Sequence, residues 1–253
     1  MPPESTESLT VRDSIGNSAR TLGSPPQDSL RGIPDYLRDT YSWAYLHPAS
    51  IWLFERDWVV NLILWGHMRR LTDSVLEEID PRVSGPSLQV ACVYGEFSKR
   101  LASRLHEQDS DLHLVDIAPI QIRNARDKLS EHPNVRFLIE DSSALQLSDR
   151  QFARTIVFFL LHEQPREARQ ATIAEALRVT RPGGKVIFVD YHLPSRSNPL
   201  RYFMRPVLRT LEPFALDLWE SSIEDMLPET HQGPQVRTQL FCGGLYQKVV
   251  VSL

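Results

Sequence analysis

Side chains able to do chemistry recur at one kind of place in this sequence, just beyond short apolar runs. Asp116 closes LHLVD, Asp141-Ser142 follow VRFLIE, His162-Glu163 follow ARTIVFFLL, and Asp190 and His192 stand at the end of KVIFVDYH. A carboxylate ending a strand can accept hydrogen bonds from two neighbouring hydroxyls, which suits Asp116 to a ribose. Asp141-Ser142 is placed to meet an adenine amine. Each acid alone is also an ordinary helix cap. His162, Glu163, Asp190 and His192 add imidazole and carboxylate groups of the kind that act as bases or hold a divalent metal.

The elements that must position these groups alternate regularly between residues 84 and 193. Apolar runs SLQVACVY, LHLVDI, VRFLIED and ARTIVFFLL read as strands, and RPGGKVIFVDY turns on two glycines into another; between them lie helical stretches such as KRLASRLHEQ, PIQIRNARDKLSE and PREARQATIAEALRVT. Strands alternating with helices of ten or more residues require crossover connections and a parallel sheet. The fold class is therefore α/β, Rossmann-like, with ligands expected at the carboxyl ends of the strands. After Pro194 the alternation stops. SRSNPLRYFMRPVLRTL has Arg201, Arg205 and Arg209 four apart, and Pro206 is expected to kink or restart a helix there. VRTQLFC and LYQKVVVS around Gly243-Gly244 read as an antiparallel C-terminal hairpin.

The rest of the chain has a different character. Residues 1–31 are rich in Ser, Pro and Gly and are expected to be a disordered leader. Residues 32–84 form an expected N-terminal helical subdomain, in which the spacing of Leu53, Val60 and Leu64 and then Leu71, Val75 and Leu76 fits two helices. Four of the five tryptophans fall in that segment. Residues 85–253 form the main domain, with a lid insertion over 194–233.

Composition narrows the function classes. With 28 basic and 32 acidic residues the net charge is −4, which argues against a nucleic-acid binder. Cys92 and Cys242 are too few for a disulfide framework and lack metal-knuckle spacing. No apolar run is long enough to span a bilayer, and the N-terminus lacks a secretory pattern, so a cytoplasmic location is expected.

With LHLVDIAP, FLIEDSSAL, VFFLLHE, ALRVTRPGGKVIFVDY and LFCGGLYQKVVV in place, the chain from about 85 onward resembles the class I S-adenosylmethionine-dependent methyltransferases. The resemblance implies a methyltransferase-like fold and a co-substrate site formed by Ala91, Cys92, Val93, Tyr94, Gly95, Asp116, Ile117, Asp141 and Ser142. The first loop departs from the pattern. Where the family reads acid-x-Gly-x-Gly-x-Gly, this chain reads Gln89-Val90-Ala91-Cys92-Val93-Tyr94-Gly95, so two glycines and the acid are replaced. A Cβ in that loop crowds the methionyl end of the ligand, and Val93 and Tyr94 are expected to change its pose.

VACVYGEFS, YSWAYLHPASIWLF and LLHEQPREAR resemble one branch in particular, the rhodoquinone biosynthesis proteins. That resemblance implies replacement of a ubiquinone methoxy group by an amino group, with S-adenosylmethionine supplying nitrogen and with Mn²⁺ required. Tyr94, His162 and Glu163 are then the candidate catalytic residues, and Asp190, His192 and Glu163 the candidate metal ligands. In related methyltransferases a Leu-His pair also packs beneath the substrate, so His162 has that reading too. Alternatives are a conventional methyltransferase acting on a quinol or aromatic hydroxyl, and a non-catalytic subunit of a quinone pathway. Ubiquinone resides in the bilayer, so peripheral contact with the cytoplasmic face of the inner membrane is expected. The arginines after Pro194 and the apolar residues of 48–66 would make that contact.

Overall fold

The computed structural model describes residues 33–45, 48–231 and 235–253. The leader expected over 1–31 lies outside the described residues. A seven-stranded sheet runs in the order β3-β2-β1-β4-β5-β7-β6. The strands are β1 Ser87–Val90, β2 Leu112–Asp116, β3 Val135–Ile139, β4 Phe152–Phe158, β5 Thr180–Tyr191, β6 Val236–Phe241 and β7 Tyr246–Ser252. The first five pair in parallel, and β7 joins both β5 and β6 antiparallel. The fold is the Rossmann-like methyltransferase architecture with its C-terminal antiparallel hairpin.

Register explains why the chemical residues arrive together. Val90 pairs with Val115 and with Val157, and Val157 pairs with Phe188. Each strand therefore reaches the same edge of the sheet at the same level. The next residues along, Ala91, Asp116, Phe158-Phe159 and Asp190, emerge at that edge side by side. The chain winds to one side from β1 and to the other from β4, so the crevice between these two adjacent strands is a topological switch point. Burial on both faces suits the continuous apolar runs: every residue of β1 and of β4 is buried.

Four helices precede the sheet, α1 Asp35–Tyr45, α2 Pro48–Phe54, α3 Asp57–Ile63 and α4 Met68–Leu76. The apolar spacing predicts two. Turns at Glu55-Arg56 and at Leu64–His67 divide the segment, the latter with Trp65 and Gly66 at φ of 51° and 76°. Below the sheet edge, Glu78 fastens this region to the hairpin by accepting bonds from Lys185, Lys248 and Arg237 at 3.0, 3.2 and 2.8 Å.

The crossovers are α5 Phe97–His106, α6 Pro119–Lys128 and α7 Arg166–Val179. Between β5 and β6 lie α8 Leu200–Leu211 and α9 Pro213–Glu220. Pro206 does not break α8, contrary to expectation. It and Tyr202, whose carbonyl loses its helical donor, are both exposed, so water can satisfy that carbonyl. The Arg-Pro-Gly-Gly turn also differs from expectation, since β5 runs through it. The ladder shifts there, with Phe152 opposite Thr180 but Arg154 opposite Lys185, and Gly183 supplies the positive φ of 76°.

Candidate active site

Two cavities meet at the carboxyl edge of the sheet. The first is a narrow cleft over β1, β2 and β3, lined by Ala91, Cys92, Asp116, Ile117, Asp141 and Ser142 among others. Ala91 holds φ of 72°, a left-handed conformation that glycine adopts without cost, so the loop keeps the backbone of a glycine turn although a side chain is present. Asp116 is half-buried at the cleft wall. Its Oδ2 accepts from the Cys92 N–H and its Oδ1 from the Ala118 N–H, both at 2.8 Å. Burial raises its carboxyl above the usual range, against the N–H groups of Cys92, Ala118 and Ile117 and the Cys92 thiol, all of which favour the charged form.

Asp141 forms an Asx turn, accepting from the Ser143 N–H at 2.8 Å. Ser142 Oγ joins a polar chain to Thr172 and Gln164 at 3.0 Å each. Tyr36 and Leu37 of α1 close the cleft from above, with Tyr36 set edge-on to Phe214. Burial pushes the Tyr36 phenol up to about 12, so it stays neutral and hydrogen-bonding at physiological pH.

The second cavity is larger and apolar, about 560 Å³. That volume lies within the ~300–1,000 Å³ usual for small-molecule sites. Val93, Tyr94, His162 and Glu163 line it, with Cys92, Phe159 and Glu163 shared between the two cavities. The structure thus divides the expected co-substrate loop. Ala91 and Cys92 face the polar cleft, Val93 and Tyr94 face the apolar cavity, and Gly95 lines neither. Gly95 holds φ of 75°, the left-handed region that favours glycine, and a Cβ there would meet the Asp57 carboxylate at 2.8 Å.

Gln89, where an acid was expected, is buried. Its Nε2 donates to Ala91 O and to Ser98 Oγ at 2.9 Å, which leaves Oε1 without a partner among the described residues. Tyr94 accepts a bond from Gln121 Nε2 at 2.7 Å and lies against Phe54 with ring centroids 5.7 Å apart. Burial raises its phenol, which stays protonated.

His162 follows β4 in a short 3₁₀ turn, Leu161–Glu163. Its Nδ1 donates to Asp190 Oδ1 at 2.8 Å, and Asp190 Oδ2 accepts the Leu161 and His162 N–H groups. The Nε2 lies 3.8 Å from Glu163 Oε1 and 3.9 Å from Glu212 Oε2. Burial alone would depress the imidazole, but Asp190, Glu212 and Glu163 together raise it to about 9. At neutral pH His162 is therefore an imidazolium, a hydrogen-bond donor rather than a base. Arg169 holds this turn in place, donating to Leu161 O, Gln164 O and Phe214 O at 2.8–2.9 Å.

Phe159, at φ of 53°, is strained for an aromatic residue and sits where the cavities join. Its ring meets those of His162, Tyr191 and Tyr246 edge-on at 5.6–5.9 Å, forming the floor of the apolar cavity.

The expected metal ligands are not brought together. Asp190 is saturated by the His162 ring and by the N–H groups of Leu161, His162 and Tyr191. His192 turns to Gly244 O at 2.8 Å and lines neither cavity. Among the described residues no group of three or more His, Cys, Asp or Glu is arranged to hold a metal ion. Manganese therefore does not fit the set Asp190, His192 and Glu163.

Three contributors escaped the sequence reading. Glu212, between α8 and α9, faces His162 only because these two helices fold back beside the turn after β4. Glu55 binds Lys128 at 2.8 Å and accepts the Gly95 N–H at 3.3 Å, anchoring the first loop from a turn 40 residues away. Gln121, at the start of α6, fixes Tyr94. None carries a local motif.

Residues 88–184 match the methyltransferase domain family. Over that stretch the chain is similar to methyltransferase domains. Over 134 residues it is 29% identical to 2-methyl-6-phytyl-1,4-hydroquinone methyltransferase of Synechocystis sp., covering 52% of this chain and 39% of that protein. Over 141 residues it is 26% identical to the ubiquinone/menaquinone biosynthesis C-methyltransferase UbiE of Stutzerimonas stutzeri, covering 54% of each. The chain thus spans about half the length of these curated relatives, or less. An O-methyltransferase family protein from Burkholderia thailandensis shares the fold at a TM-score of 0.61 and 13% identity, covering 95% of this chain and 69% of that one. Most residues lining the narrow cleft lie within the matched stretch, whereas the apolar cavity is built largely by residues outside it.

Proposed function

We propose that this chain is an S-adenosylmethionine-dependent transferase acting on an isoprenoid quinone, and that its reaction replaces a methoxy group of ubiquinone by an amino group. The observation that carries the amino-transfer reading is the first loop. A family carboxylate would hold the methionyl amine as its ammonium cation, which is no nucleophile. Gln89 is neutral and its amide nitrogen is already committed within the fold. An amine beside it sheds its proton more readily. Val93 and Tyr94 fill the side of the loop that faces the apolar cavity. The adenosyl part is assigned to the cleft of Asp116 and Asp141, and the quinone ring to the cavity floor beside His162.

The chemistry balances without an external oxidant. The amine nitrogen adds to the methoxy-bearing ring carbon, and the carbon–oxygen bond breaks to release methanol, the methoxide taking the amine proton. The N-substituted aminoquinone then accepts the electron pair of its own Cα–H bond, becoming a hydroquinone carrying a C=N imine. Water cleaves that imine to aminohydroquinone and the 2-oxo acid of the co-substrate. In this scheme the His162 imidazolium donates to the quinone oxygen as negative charge develops there. Glu163 and Glu212 are the carboxylates nearest to receive a proton. No step is routed through a metal.

A second reading, conventional methyl transfer to a quinol, draws on the two curated relatives, whose names specify a hydroquinone methyltransferase and a quinone-pathway C-methyltransferase. The redox state of the substrate separates the two, because addition needs an electrophilic quinone and methylation a nucleophilic quinol. With S-adenosylmethionine supplied, oxidised ubiquinone is expected to be consumed and anaerobic ubiquinol left unchanged. Turnover of the quinol alone would establish methyl transfer instead. Failure of both, with no affinity for S-adenosylmethionine, would favour a non-catalytic subunit.

A further inference from the structure

The mouth of the apolar cavity is itself an unusual surface. Leu62, Ile63, Trp65, Phe203 and Leu211 line the cavity and are also open to solvent, so they form its rim. Trp65, after α3, meets Phe203 of α8 edge-on at 5.7 Å, and the two bridge the opening. Apolar exposure continues outward along both helices. Trp58 lies one turn before Leu62 and is 63% exposed, and Tyr202 beside Phe203 is 66% exposed. A continuous apolar patch of this kind on a soluble surface marks an interaction site.

The charge around the rim identifies the partner. Between Asn198 and Leu211 there are three arginines and no acid. Arg205 and Arg209 are exposed, and neither makes an ion pair among the described residues. The acids nearest the rim turn elsewhere. Glu212 faces His162, and Asp57 lies against the Gly95 loop. Aromatic and aliphatic side chains flanked by unpaired arginines match a bilayer whose interface takes Trp and Tyr and whose headgroups are anionic. Among the described residues no helix is long and apolar enough to cross a membrane, so the contact is with the surface of one leaflet.

We propose that the ends of α3 and α8 dock on an anionic lipid leaflet, with the Trp65–Phe203 mouth facing the hydrocarbon, so that a lipid-soluble substrate passes laterally into the cavity without crossing water. This deepens the quinone reading and rests on it only for the identity of the substrate. The docking itself stands on the patch.

Flotation of the full chain with vesicles of phosphatidylcholine, alone or mixed with phosphatidylglycerol, tests the docking. Binding to the anionic vesicles is expected, weakening as salt rises. The Arg205→Glu/Arg209→Glu and Trp58→Ser/Tyr202→Ser variants should each bind at least ~10-fold more weakly. Their turnover of vesicle-embedded ubiquinone should fall with binding, while turnover of a tail-less ubiquinone analogue in solution stays at the parent level. Equal binding to both vesicle types, undiminished binding by both variants, or a dimer that buries the patch without vesicle binding would overturn the proposal. If the parent chain floats but turns over neither quinone, the quinone reading fails and the docking stands.

Discussion

Replacing His162 by Asn is expected to lower turnover by about 10²–10³-fold, the usual cost of removing one preorganised donor from a developing oxyanion. The pH profile distinguishes this role from general base catalysis. The imidazole is raised to about 9, above its ordinary value of 6.5. Activity that requires the imidazolium is therefore present at neutral pH and lost as pH rises through about 9. A base would show the opposite limb.

Asp190→Asn removes the first of the interactions that raise the imidazole, so the alkaline limb should move to lower pH. The same linkage applies to stability. A group whose folded pKa is raised contributes fully below its unfolded value, and that contribution disappears as pH climbs to its folded value. The Asp190 variant should also lose about 3–5 kcal/mol near neutrality, because a buried imidazolium is left without its counter-charge. Steady-state rates from pH 6 to 10, with denaturant unfolding alongside, are the measurements. An unchanged rate in His162→Asn would show that the residue only packs beneath the substrate.

Tyr94→Gly carries the second large effect. Tyr94 stands between the loop and the cavity, fixed by Gln121 and Phe54. Its removal takes away the side chain that the proposed pose leans on, so the methionyl end can turn its methyl group rather than its amine toward the ring. Amination should fall about 10²-fold, the cost of a misplacement on the order of 1 Å. Affinity for S-adenosylmethionine should change little, because the cleft proposed for its adenosyl part, with Ala91, Asp116 and Asp141, is untouched. Calorimetry and product analysis together check this. Full amination by Tyr94→Gly would refute a pose-setting role for the tyrosine.

The alternation of apolar runs and helical stretches was enough to read the parallel sheet and its hairpin from sequence, since strand period and crossover length are local properties. The residues at strand ends were equally legible. Ala91, Asp116, Asp141, His162 and Glu163 reach one edge because the register of parallel strands leaves no other arrangement. What could not be read is what depends on tertiary return. Glu212 meets His162 across 50 residues, and Glu55 and Gln121 fix the first loop from a turn and from a helix far apart in sequence. Asp190 is on β5 but His192 lies past its end at Tyr191, where the strand alternation no longer holds, so Asp190 bonds to the His162 turn and His192 to Gly244 of the hairpin, and proximity in sequence misled the metal assignment. His162 was legible as a candidate, but not as a cation, because its charge state comes from three carboxylates on three separate elements.

The most direct test of the reaction uses purified chain, ubiquinone dispersed in detergent, and S-adenosylmethionine labelled on both its amino nitrogen and its methyl carbon. Nitrogen label in the quinone, methanol released and the methyl label retained on the co-substrate is the expected result. Methyl label in the quinone, with its methoxy groups intact, would contradict amino transfer and identify the chain as a quinone methyltransferase of the ordinary kind.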